Sequence, residues 1–140
     1  MRTLSRPIKY LCICWLAVSG AANADAGALS FELNSVAQVE SHCRATFVVV
    51  NTLGAKLART AIEVGVFDDK NVFSEMVVFD LGSLPQNKTK VVQFDLARDC
   101  ASISRLLLNS IKECVGADNA ALQCEDRIKT SNNSSITFGQ

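Results

Sequence analysis

From residue 29 onward the chain repeatedly sets apolar against polar positions with a period of two. Leu29, Phe31 and Leu33 alternate with Ser30, Glu32 and Asn34, the pattern of a half-buried strand over 29–34. Residues 42–50 are rich in β-branched side chains and run into a turn, Asn51-Thr52-Leu53-Gly54. Residues 59–67 put Ile62, Val64 and Val66 on one face, and the polar Asp68-Asp69-Lys70-Asn71 joins them to an apolar run over 72–81, which predicts a hairpin. A second turn region, 82–88, precedes 89–96, where Val92, Phe94 and Leu96 point inward and Val91, Gln93 and Asp95 outward. Beyond Cys100 the pattern is less regular. Ile103, Leu106, Leu107, Ile111 and Cys114 also fit helical spacing; the preferred reading is a helical turn over 100–103 followed by a strand through Ile111. A loop at 116–121 and short strands at 124–130 and 135–138 complete the chain.

About seven short strands in some 115 residues predict an all-β, immunoglobulin-like antiparallel sandwich. Four cysteines lie in this region, Cys43, Cys100, Cys114 and Cys124, an even set that reads as two disulfides with three conceivable pairings. In immunoglobulin-like wiring the second and sixth strands run parallel, so Cys43 and Cys100 start at the same end. Cys114 would end the sixth strand and Cys124 begin its hairpin partner. The expected bonds are therefore Cys43–Cys100 and Cys114–Cys124. The long loop closed by the first should contribute roughly 4 kcal/mol, the short one about 2.5 to 3.

The first residues follow a different logic. Arg2, Arg6 and Lys9 precede an apolar run over 10–18, and small residues follow over 19–24. A basic start, a short apolar stretch and a small-x-small exit are the parts of a Sec-type secretory signal. Cleavage after Ala24 fits best and after Ala26 next, which leaves a single domain over 25–140. The alternative, an uncleaved anchor, needs roughly 20 apolar residues, more than the run provides. Arg2 and Arg6 are not adjacent, so no twin-arginine signal is present, and Cys12 and Cys14 sit inside the apolar run, away from a lipid-attachment position.

Beyond residue 24 there are 14 acidic and 11 basic side chains, a net charge of −3. Such a balance gives no electrostatic reason to seek nucleic acid, and no segment of this part is long and apolar enough to span a membrane. The seven phenylalanines read as core, and Trp15 and Tyr10 fall in the export segment, which leaves a poor aromatic set for a binding surface.

Three stretches, 50–57, 62–68 and 81–89, carry the rhythm of an asparagine-to-glycine turn, a strand ending in Phe-Asp and a Leu-Pro-x-x-Lys-Thr turn. Over residues 43–96 the chain resembles the extracytoplasmic immunoglobulin-like modules of the FxLYD kind. With Phe79-Asp80, Phe94-Asp95-Leu96, Leu106 to Asn109 and the late cysteines added, it is similar to a group of small exported bacterial proteins. The resemblance implies the fold and a periplasmic location, and it brings no activity and no catalytic residue.

Candidate chemistry is sparse. His42 beside Cys43, with Met76, would suit copper, but there is no Cys-x-x-Cys and only one histidine. The spacing of Cys114 and Cys124 suits loop closure better than disulfide exchange. Asp68 and Asp69 are too few oxygen ligands for a calcium loop and fit a turn; Asp80 and Asp95 read as solvent-facing. No Gly-x-Ser-x-Gly is present, and no base–orienter pair supports a hydrolase. Sequons at Asn87, Asn132 and Asn133 read as turn residues.

The expectation is a non-catalytic exported module without cofactor or metal, presenting a sheet edge (29–34 or 135–138) or end loops to an envelope protein partner. The alternatives are a periplasmic metal or small-ligand carrier using His42, Met76 and the cysteines, and a thiol–disulfide active protein. A non-reducing intact mass should place the N-terminus at Asp25 and fall four hydrogens below the reduced chain. A peptide map linking Cys43 to Cys114 or Cys124 would contradict the pairing.

Overall fold

A computed structural model describes residues 27–140. The export segment and its cleavage site lie outside the described residues. The strands are β1 (Leu29–Val39), β2 (His42–Asn51), β3 (Leu57–Asp68), β4 (Phe73–Asp80), β5 (Thr89–Leu96), β6 (Ile103–Gly116), β7 (Ile128–Asn132) and β8 (Thr137–Gly139). Short 3-10 turns, Cys100–Ser102 and Glu125–Arg127, precede β6 and β7.

The strands form two four-stranded sheets, β5-β2-β1-β7 and β4-β3-β6-β8. The all-β sandwich follows from the period-two pattern: β2 buries Cys43, Ala45, Phe47, Val49 and Asn51 in strict alternation, and β1 does so with Leu29, Phe31 and Leu33. Order β5-β2-β1 facing β4-β3-β6 is the immunoglobulin scheme.

The purely antiparallel expectation is corrected at the chain's end. β7 pairs parallel with β1, and β8 pairs parallel with β6, so both sheets are mixed. The last segment thus runs along one sheet, crosses over and joins the other, closing that side of the sandwich. β1 consequently lies inside its sheet and is not an edge, contrary to the expectation for 29–34; β8 is an edge.

Two strands are longer than their patterns. β1 continues to Val39 beyond a register shift between Leu33 and Ser35, which breaks the alternation at Asn34. β6 continues to Gly116 and pairs with β3 through four register shifts. Each shift changes which residues face inward, so the buried Ile103, Leu106, Leu108 and Cys114 follow neither a strand nor a helix period.

The structure joins Cys43 to Cys100 with Cα atoms 4.7 Å apart, and Cys114 to Cys124 at 6.4 Å. The first bond ties the start of β2 to the turn before β6. The geometry around the second differs from the expectation. Cys124 precedes a 3-10 turn and does not begin a strand, and β7 belongs to the opposite sheet. The bond instead closes a loop on β6, where Leu122 N donates to Cys114 O and Val115 bridges to Ala121.

The two sheets meet on Phe47, whose ring lies 5.8 Å from Phe79, 6.2 Å from Phe94 and 5.2 Å from Phe138. Phe47→Ala should destabilise the protein by about 3–5 kcal/mol through the cavity it leaves. Val91→Ala, on an exposed position of the same sheet, should cost under about 0.5 kcal/mol. Equilibrium denaturation of both variants checks the contrast.

Candidate functional site

The β3–β4 hairpin is fixed by its turn. Asp68 Oδ1 accepts from Lys70 N at 3.0 Å and Val72 N at 2.8 Å, and Asn71 takes a left-handed φ of 60°. Asp68 therefore spends its carboxylate on the backbone. A register shift between Val66 and Phe67 then sets Phe67 opposite Phe73. This shift, an extra residue at Ser74, turns Phe73 onto the outer face of the sheet, where Phe67 already points by alternation with the buried Val64 and Val66. The phenylalanines are thus not all core: Phe73 is 53% exposed and Phe67 half-buried.

Gly65 makes room for them. A Cβ built there would lie 3.5 Å from Phe67, 3.7 Å from Phe73 and 3.8 Å from Leu107, so the rings cover backbone that no side chain of Gly65 covers. The two rings meet edge to face with centroids 5.9 Å apart, and the Arg105 guanidinium lies 3.9 Å over Phe67. Arg105 Nε is shielded from solvent without a hydrogen-bond partner, so ring stacking holds it. Met76 (43% exposed) and Val78 (57%) extend this apolar face along β4.

Behind β4 a groove of about 350 Å³ opens between the edge strands β4 and β5. Its floor is Phe79 stacked on Phe94, centroids 4.1 Å apart and planes within 5°, with Val77 and Leu96 beside them. Its rim carries Glu75 and Asp95. Arg98 reaches across to Glu75 at 2.7 Å and donates to Ser74 Oγ, and Arg44 holds Asp95 at 2.7 Å.

The residues weighed for metal chemistry do not converge. His42 starts β2 in one sheet, with Ser41 Oγ 3.4 Å from its Nδ1, and Met76 lies on the outer face of the other. All four cysteines, Cys43, Cys100, Cys114 and Cys124, are in disulfides. Among the described residues no three His, Cys, Asp or Glu side chains gather as metal ligands would. Asp80 accepts from Gly82 N in the turn after β4, and Asn132 accepts from Ser134. The apolar face itself was invisible in the pattern, which left the faces of 72–81 unassigned. Its one trace is Val77-Val78-Phe79, consecutive apolar residues where a half-buried strand would alternate.

Comparison with protein-family models, curated proteins and solved structures yields no match.

Two carboxylates near these faces hold their protons weakly. Arg44 hydrogen bonds, reinforced by its charge, lower the Asp95 carboxyl; the Asn109 hydrogen bond, then that of Lys112, lowers Glu63. A depressed folded-state value means stability that is present above the unfolded value and is lost as pH falls through the folded one. The unfolding midpoint should therefore drop below about pH 4, with a shallower drop in the Asp95→Asn, Glu63→Gln double variant and in high salt. Chemical denaturation across that pH range checks it.

Proposed function

We propose that this chain is a non-catalytic, exported interaction module of the cell envelope that docks a protein partner on β4 and the outer face beside it. One observation carries the reading: Phe73, Met76 and Val78 stand exposed on the edge strand β4, with the half-buried Phe67 of β3 beside them. Aromatic residues, Met and Arg are the types enriched at the centre of protein interfaces, and Arg105 stacked on Phe67 adds the cation. Contiguous exposed apolar surface rimmed by polar groups marks docking sites more often than it occurs by chance.

The export segment at 1–24 supports a compartment outside the cytoplasm. Two disulfides in a chain of this size fit an oxidising space such as the periplasm, and no helix among the described residues is long and apolar enough to cross a membrane. The likeness to FxLYD-type modules agrees with this location.

A photocrosslinking amino acid at Met76 or Val78, introduced in the producing cell, should yield one discrete protein adduct. The same group at Val91, equally exposed on the other sheet, should not. Equal labelling from the three positions, or none from Met76 and Val78, overturns the proposal.

A further inference from the structure

We infer that the partner docks as an extended segment, added to the free edge of β4 as a fifth strand of the sheet β4-β3-β6-β8. The inference rests on the docking reading above and names the form the partner takes.

The four edges of the sandwich are unequal. β8 has three residues and β7 five, with Lys129 among polar neighbours. β5 carries Lys90, whose ammonium is anchored on Leu81 O and Ser83 O across the gap. Short length and lysine are the usual protections of an edge. β4 has eight residues, no lysine and no proline. Among the described residues it offers an unpaired row of backbone donors and acceptors, the template for strand addition.

What surrounds that edge sets the chemistry of the incoming segment. Side chains of an added strand alternate between faces. One set would enter the groove over Phe79 and Phe94; the other would lie beside Met76 and Val78. Both sets meet apolar surface, so the segment is apolar at successive positions, as strands covered on both faces are. The rim carboxylates of Glu75 and Asp95 are already paired with Arg98 and Arg44, so the groove asks for no charge.

Two features disfavour a second copy. Glu75 lies opposite the buried Val66 and lines the groove. The β4 of another molecule would carry its own Glu75 into that apolar space, and an inward charge on an edge is a device against self-pairing. The exposed face of β4 also rests on three residues, Phe73, Met76 and Val78, few beside the roughly 20–30 residues a side of a standard interface. Strand addition makes up the difference with backbone hydrogen bonds.

A random decapeptide display library, selected on the purified disulfide-bonded protein, tests this. The expected hits contain runs of four or more apolar residues. N-methylation of a synthetic hit at one alternate set of residues should weaken binding at least tenfold, and at the other set less than twofold. Val78→Lys should weaken it severalfold, and Val91→Lys should leave it unchanged. Binding lost with Val78→Lys but indifferent to the position of N-methylation overturns strand addition while leaving β4 as the docking face. Binding indifferent to Val78→Lys overturns both. Absence of enriched peptides overturns strand addition, as does concentration-dependent dimerisation in sedimentation that Val78→Lys abolishes.

Discussion

The contact on which most of the structure depends is the packing of Phe47 against three other phenylalanines. Phe47 sits in an interior strand of one sheet. Phe79, Phe94 and Phe138 belong to β4, β5 and β8, three of the four edges. One ring thus fixes the positions of strands whose own pairing is one-sided. A small sandwich has few other means to hold its edges, since each has only one neighbour for its backbone. The Phe79–Phe94 stack then closes the side that no strand closes, and its outer surface is the floor of the groove. Core and proposed docking surface are two faces of the same cluster.

The ends of the sandwich are pinned by different chemistry. At one end Cys43–Cys100 joins the sheets, and Gln38 receives the Cys100 N–H at 2.8 Å and donates to Asp99 at 2.9 Å. At the other, Asn51 is buried among apolar residues. Its amide donates to Ala55 O and Leu84 O at 2.8 and 3.0 Å, and its side-chain oxygen accepts from Leu53 N at 3.0 Å. A buried amide left unpaired would cost about 1–3 kcal/mol, so these bonds specify where the β2–β3 and β4–β5 connections meet. The covalent tie lowers the entropy of the unfolded chain and the polar tie selects one loop arrangement.

Much of this was legible in the sequence because one inward face was continuous. In β2 and β5 the alternation alone assigns faces, and the turn at Asp68 is readable from its composition. Legibility ends where a local shift of register intervenes. The shifts along β3 and β6 mix the inward and outward sets of 103–116, so the spacing there keeps neither a strand nor a helix period. The shift at Val66 and Phe67 is also what turns Phe73 outward beside Phe67, and composition had assigned every phenylalanine to the core. Which strands lie at the edges depended on β7 and β8 each finding a parallel neighbour in a different sheet, a long-range outcome that no local pattern encodes.

That the outer face is organised, and not merely uncovered, follows from how its parts constrain one another. Phe67 is held from above by Arg105 and at its edge by Phe73, and both rings rest over Gly65. Arg105 is kept by the ring, with no acid among its charged contacts in the described residues. Side chains already confined lose less freedom when a partner covers them, a saving of roughly 0.5–1.5 kcal/mol for each one that would otherwise be immobilised on binding. A collection of apolar residues left outside for want of core space would have no reason to stack in this way. The same restraint holds the rings over Gly65; the strand addition proposed for β4 needs its edge uncovered, and Glu75, paired with Arg98, disfavours a copy of the chain there.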